Sequence, residues 1–566
     1  MKMNVRKYAW ALLFTVGFAG SCDLDSKMDA YLTDDMKDER YETLLSMGYK
    51  MYTRFQESHG FNAIDDNLFA TVSDEAQYVS TSSMSQRFNE GSWGPYYNPD
   101  NFYASGYQGI NDVNVFLDYS VGYKDKLAVK RDTLTLDGKR KYQEDVLQVE
   151  RFIAEAHALR AHYHFELAKR YGAIPIMTVK TEDAEQGRKS RQSFDEVVEF
   201  IVREIDGAMS GLVPSWTEVS LPTQSGRVTQ HVARAIKAKA LLYAASPLHN
   251  PSNDLDKWVA AARAYGEIIR TNSFSLFNDY RSLFLEGVSA AKEKEIIWAV
   301  RFSAGNSMER KNYPIGTAGG NTGVCPTHDF FLAHEHKTSD VNDPYAGVDP
   351  RFTANVAVNG CSWNGRTLEM WSGGTDDPDN PNTSRTGYYL KKFLNENLNL
   401  VNDEKKNFSW PVFRYAEVLL SYAEAMNEAF GPDELGPAEY GLTLTAREAV
   451  NMVRGRESVK MPEITVGIAP GQDEMRVCIR NERRVELAFE GHRYWDLCRW
   501  KIAAEVLNRP VSGVKVTRSE NVARPYEYVP FEAGRRKFEA PKMYLYPIPQ
   551  EEIVRSMGTM EQNAGW

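Results

Sequence analysis

The sequence predicts a mainly α-helical protein whose helix pairs support a large irregular, loop-rich part. Three observations carry this. Long segments repeat apolar residues at three- and four-residue steps, with Ala where helices must approach closely. Two stretches, near 55–107 and 302–409, lack that periodicity and are rich in Gly, Asn, Asp, Ser, Pro and aromatics. Apolar residues make up 42% and charged residues 25% of the chain, which suits a folded protein and excludes disorder over most of its 566 residues.

The first element is not part of the fold. Lys2, Arg6 and Lys7 precede an apolar run from Tyr8 to Ala19, and the small residues Ala19, Gly20 and Ser21 precede Cys22. Residues 1–21 read as a signal peptide with a lipobox-like end. They resemble bacterial lipoprotein signals, in which the Cys is acylated and becomes the first mature residue. Cys22 is therefore the predicted lipidation site, and 22–566 the mature domain. Each buried CH₂ of an acyl chain adds about 0.8 kcal/mol, so several chains anchor firmly. Asp23 and Asp25 follow directly. Five Cys are too few for a disulfide scaffold. Pairing among Cys325, Cys361, Cys478 and Cys498 is open.

The helical elements follow. In 149–171, Phe152, Ala156, Leu159, Tyr163 and Leu167 share one face, and Gly172 and Pro175 end the helix. Thr229 caps a helix running to Ala245. Residues 255–270 form another. Pro411 is expected to open the next, with Phe413, Ala416, Leu420 and Ala423 facing inward. Residues 446–454 and 474–507 continue the pattern, the latter broken at Gly491. Such pairs look like tetratricopeptide-type packing without a strict repeat. Tyr107, Ile110 and Asn114 are expected in the core.

Lys plus Arg number 67 and Asp plus Glu 77, a net charge of −10. That balance excludes a nucleic-acid partner, which needs a basic surface. Tyr leads the aromatics with 30, and Tyr tolerates a wet surface.

At several places the residues match a known pattern. They include Ala154-Glu155-Ala156 through Leu159-Arg160-Ala161 to Tyr171-Gly172, then Gly226-Arg227-Val228-Thr229 with Ala238-Lys239-Ala240. Asp349-Pro350-Arg351, Gly387-Tyr388-Tyr389 and Arg414-Tyr415-Ala416-Glu417 follow. The most specific block is Arg480-Asn481-Glu482-Arg483-Arg484-Val485-Glu486-Leu487 with Glu490-Gly491-His492-Arg493-Tyr494-Trp495-Asp496. The sequence closes on Tyr546-Pro547-Ile548-Pro549 and Asn563-Ala564-Gly565-Trp566, with Ala564 where Pro is usual. Over nearly the whole chain this resembles the SusD/RagB-type nutrient-binding lipoproteins of Bacteroidetes outer membranes. The resemblance implies a SusD-like fold of four tetratricopeptide-like helix pairs with an irregular ligand-binding part. It also implies a non-catalytic, lipid-anchored lid at the cell surface, serving a SusC-like TonB-dependent transporter and capturing oligosaccharides. Oligopeptides are the alternative ligand, and a glycoside hydrolase on a helical scaffold is the alternative activity. The hydrolase needs two carboxylates about 5–10 Å apart across a cleft.

A glycan site needs flat rings for sugar C–H faces, with amides and carboxylates for the hydroxyls. Two places supply that mixture. The early stretch offers Asp65, Asn67, Trp93, Tyr96 and Tyr97. The middle stretch offers Tyr313, Asn321, Trp363 and Trp371. Loop anchoring is the competing role for each tryptophan.

Other signals are weaker. Glu486 and Glu490 could form an acid pair, but the surrounding Arg residues favour a structural charge network. His334-Glu335-His336 is not a zinc motif and reads as a surface loop. Residues 376–380 are oxygen-rich and could hold Ca²⁺. They lack the Gly and terminal Glu of an EF-hand, so a solvated loop is the default and no cofactor is expected. Residues 316–323 are Gly-rich without a phosphate-binding ending and read as a flexible loop.

Overall fold

A computed structural model describes residues 41–55, 59–183, 185–522 and 524–566. The signal peptide and Cys22 lie outside the described residues.

The scaffold is a row of helices, each packed on its neighbour. They are α1 (Tyr41–Lys50), α2 (Tyr103–Tyr119), α3 (Leu136–Tyr171), α4 (Phe194–Ala208), α5 (Gln230–Ala245) and α6 (Leu255–Arg270). Then come α7 (Tyr415–Phe430), α8 (Ala446–Arg454), α9 (Gln472–Glu486) and α10 (Arg493–Arg499). Contacts run α2 to α3, α3 to α4, α4 to α5, α5 to α6 and α6 to α7, and α7 packs on both α8 and α9. The ends are set by local chemistry. Thr135 and Thr229 accept from Gly138 N and Val232 N, and capping boxes start α4 (Ser193, Glu196) and α8 (Thr445, Glu448). α2 and α3 approach so closely that a Cβ on Gly109 would stand 2.8 Å from the Tyr163 ring.

The helices expected over 255–270 and 446–454, and that capped by Thr229, form as predicted. The helix placed at 149–171 is the buried half of the longer α3. Ile110 and Asn114 are buried on α2. The 474–507 stretch is divided, with α9 ending at Glu486 and α10 beginning at Arg493 after Gly491.

One expected helix start is wrong. Pro411 lies inside a strand, and α7 begins only at Tyr415. With β1 (Ala76–Tyr78), β2 (Ile296–Gly305) and β3 (Val324–Pro326) counted before it, β4 spans Lys406–Arg414. It pairs antiparallel with β2, Ala299 facing Pro411. The sheet has two strands, so β4 keeps an open edge, where a missing N–H is tolerated. Phe413 is buried on that strand, while Ala416, Leu420 and Ala423 are buried on α7. β1 pairs with β3 and so ties the two loop-rich stretches together. β5 (Val511–Arg518) and β6 (Tyr526–Gly534) form a hairpin.

Where α9 meets the loops lies a buried charge network. Arg414 reaches Glu486 and Glu490 at 2.7 Å, Arg456 reaches Glu486 at 2.7 Å and Glu295 at 2.6 Å, and Arg351 reaches Glu486 at 3.0 Å. Burial alone would raise the Glu486 carboxyl, but Arg456, Arg414 and Arg351 hold it well below its ordinary range. Burial lowers Lys392 to about 8, against the pull of Glu490 at 2.7 Å. Glu486 and Glu490 are held ionised and paired, the arrangement of a structural network.

Cys325, Cys361, Cys478 and Cys498 are free thiols. His334 is buried, not in a surface loop. Its Nδ1 lies 2.8 Å from Phe330 O, whereas Glu335, paired with Arg454 at 2.8 Å, and His336 are exposed as the surface-loop reading expects. The 316–323 stretch is packed rather than loose. Gly316 N donates to Asp376 at 3.1 Å and Thr322 Oγ1 to Asn382 O at 2.6 Å.

Candidate ligand-binding site

Most of the predicted aromatic platforms face inward. Trp363 is fully buried, with the Tyr313 ring edge-on to it at 5.1 Å. Tyr313 is also fully buried, donates to Asn395 O, and accepts from Leu398 N at 3.1 Å. Trp93 is 8% exposed, stacked on Phe88 at 4.9 Å, and donates from Nε1 to Phe88 O. These three rings are enclosed by neighbours and offer no face to a sugar, which corrects the expectation for them.

The polar candidates divide similarly. Asn67 is buried and bonded to Asn312 at 3.0 Å, locking the early stretch to the middle one. Its amide is spent there, another correction. Asp65 accepts from Met84 N and Ser85 N at 2.8 and 2.7 Å, so its carboxylate starts the short helix Met84–Asn89. Asn321 is exposed, with its amide on Arg310 O at 3.0 Å.

Tyr96 is 88% exposed and Tyr97 lies beside it, with the Arg87 guanidinium 5.9 Å from the Tyr97 ring. Trp371 is 8% exposed. It lies 5.1 Å from the Tyr526 ring, beneath the Arg518 guanidinium, and bridges to Val516 on β5. It docks the 366–387 loop onto the hairpin.

That docking builds an open cleft of about 560 Å³. One wall is the loop, with Asp379, Asn380, Asn382 and Arg385. The other is the hairpin, with Lys515, Val516 and Phe531, and Val79 and Thr81 close one end. Phe531 is 41% exposed over Gly513, its cross-strand partner. The loop lies hard against β5. Val514 N donates to Thr386 O at 2.8 Å, and at Gly387 (φ +76°) a Cβ would stand 2.0 Å from Val514 O.

The loop is stiffened from within. Arg366 holds both oxygens of buried Asp376, and Asp377 accepts from Gly373 N and Asp379 N at 2.6 and 2.8 Å. Asp376 and Asp377 therefore satisfy an arginine and backbone amides, while Asp379 and Asn380 are exposed, so the stretch is a solvent-facing loop bonded from within. Arg385 donates to Tyr78 O and Gln86 Oε1, both at 3.3 Å. Gln86 shares its short helix with Arg87, the residue beside the Tyr97 ring. Sequence reasoning missed Phe531, Arg385 and Lys515. The signal for Phe531 was the aromatic-rich run Tyr526, Tyr528, Phe531 in a segment with strand-like alternation.

A scaffold of paired helices presenting an open, loop-walled cleft defines the class. Two family models match the chain. One, described as the SusD family, covers residues 294–566, and the other, "Starch-binding associating with outer membrane", covers residues 24–242. SusD-like protein P38 of Formosa agariphila is 27% identical over 395 residues, 65% of this chain and 69% of its own. A crystal structure of a SusD-like carbohydrate binding protein from Bacteroides fragilis matches with TM-score 0.72 at 22% identity, covering 93% of this chain and 99% of its own. Surface glycan-binding protein A from Bacteroides fluxus matches with TM-score 0.60 at 19% identity, over 93% and 99%. The chain belongs to the SusD/RagB family. Among the described residues no helix is long and apolar enough to cross a membrane.

Proposed function

We propose that this protein is a lipid-anchored, surface-exposed receptor that captures oligosaccharides and passes them to a SusC-like TonB-dependent transporter. The observation that carries the reading is the cleft lined jointly by Phe531, the amides of Asn380 and Asn382, and the charged side chains of Arg385, Lys515 and Asp379. A flat apolar ring beside several separately placed polar tips suits a sugar, whose C–H face packs on the ring while its hydroxyls need partners. Trp371 supports the loop wall from behind rather than lining the cleft, and the exposed Tyr96 and Tyr97 offer a further contact surface for a longer chain. The structural neighbours named as carbohydrate- and glycan-binding proteins support the same ligand class. Binding proceeds without transformation of the ligand. The pairing of Glu486 and Glu490 with arginines supports that, since a general acid needs a raised carboxyl pKa. Acylation of Cys22 supplies the anchor.

Affinity electrophoresis of the mature chain against a panel of polysaccharides, followed by calorimetry on the best ligand, tests the reading. Retarded migration by at least one glycan is expected, with no product released on prolonged incubation. Binding of peptides but of no glycan would replace the ligand class, and product formation would replace the binding-only role.

A further inference from the structure

Away from the cleft, His59, His162 and Glu166 bring three metal-ligating atoms within 4.8 Å of one another. His162 and Glu166 lie one turn apart on the buried half of α3, and His59 comes from the early stretch. His162 is 1% exposed, and neither ring nitrogen has a hydrogen-bond partner among the described residues. Its ring is boxed by the edges of Phe55 and Trp298, each 5.3 Å away. A buried imidazole left in that state costs about 1–3 kcal/mol for each unsatisfied polar atom. Nothing in the carbohydrate reading uses it.

The other two groups are oriented toward the same point. The His59 Nδ1 lies 3.4 Å from Phe55 O and its Nε2 3.8 Å from Glu166 Oε1. Metal-bound histidines are held in that way, with one nitrogen on a backbone carbonyl and the other on the ion. Lys169 and Arg170 take Glu166 Oε2 at 2.5 and 2.6 Å, which leaves Oε1 facing His59. We infer that His59, His162 and Glu166 form a site for a divalent transition-metal ion of the zinc type. Two imidazoles and one carboxylate are a known zinc donor set. Tetrahedral zinc with bonds near 2.0–2.1 Å places its ligand atoms about 3.3 Å apart. Loading the ion therefore requires ligand atoms now within 4.8 Å to draw together. A water completes the shell, and a cavity of about 60 Å³ beside His59 has room for it. The ammonium of Lys169 and the guanidinium of Arg170 oppose the ion and select against larger, purely electrostatic binding. The nitrogen donors therefore favour zinc or cobalt over calcium or magnesium. Occupancy would pin the early loop segment to the scaffold helix.

The test uses the mature chain with its affinity tag removed and after treatment with chelator. Zinc chloride is titrated by calorimetry and cobalt chloride by visible absorption. One zinc per chain, and the visible bands of tetrahedral cobalt, are expected. His59→Ala and His162→Gln should each weaken zinc binding at least about tenfold, the loss that even an outer partner of a metal ligand causes. Absence of stoichiometric binding by the folded wild type would overturn the site, as would unchanged affinity in folded His59→Ala. Should His162→Gln fail to fold, His59→Ala decides alone, since that side chain is partly exposed.

Discussion

Arg366 grips Asp376 with both terminal nitrogens, at 2.6 and 2.7 Å, and the carboxylate so held is completely buried. This pair closes the base of the cleft loop. Removing the arginine leaves a buried charge without its partner, a change that costs about 3–5 kcal/mol for a well-buried pair. Arg366→Ala should therefore lower the unfolding midpoint and weaken glycan binding together. Denaturant unfolding and calorimetry on the same preparation check both.

Phe531 and Trp363 should respond in opposite ways. Phe531 is half exposed at the cleft, and stacking adds on the order of 1 kcal/mol beyond burial. Phe531→Ala should weaken glycan binding about five- to tenfold with little change in stability. Trp363 has no exposed surface, and truncating a buried aromatic costs about 3–5 kcal/mol. Trp363→Ala should lose stability first. Thermal melts beside binding isotherms separate the two outcomes.

Glu75 gives a pH signature. Burial pushes its carboxyl up to about 7 from an ordinary 4.5, although Phe489 N donates to it at 2.9 Å. The folded protein thus holds a proton that the unfolded chain releases near 4.5. The contribution to stability is complete below pH 4.5 and is lost as pH rises through about 7. Glu75→Gln, which cannot ionise, should remove a slope of order 3 kcal/mol across that window. Urea unfolding from pH 4.5 to 8 measures it, and an unchanged slope would refute the assignment.

Glu486 has the reverse sign. Three arginines hold its carboxyl well below the ordinary range despite burial. Its contribution is present above the unfolded value of 4.5 and disappears as pH falls through the depressed one. Glu486→Gln should cost about 3–5 kcal/mol at neutral pH and flatten the acid limb of the stability profile.

The helical scaffold was legible because its signals are local. The Thr229 cap and the apolar spacing from Leu255 to Arg270 each sit within a few turns, so periodicity found them. Pro411 misled because β4 takes its shape from β2, more than a hundred residues earlier, and a start signal for a helix is also an acceptable edge-strand residue. Composition marked the loop-rich stretches but carried no sign of direction. Trp93 and Trp363 have the same polar, glycine-rich neighbours as a ligand platform, yet Phe88 and Tyr313 cover them. Phe531 escaped because its setting depends on Gly513 across a hairpin and on Trp371 from another segment. The acids of 376–380 read as a solvated loop, and the partner that buries the first of them, Arg366, stands ten residues before Asp376, outside the acidic run.

The walls of the cleft come from residues 79–81, 370–387 and 514–531. A ribosome must therefore have released the chain through Phe531 before the cleft can close. Fragments that retain the whole early and middle regions but lack the final hairpin would lack one of its walls, and on the proposed reading carbohydrate affinity doubles as an assay for completed folding.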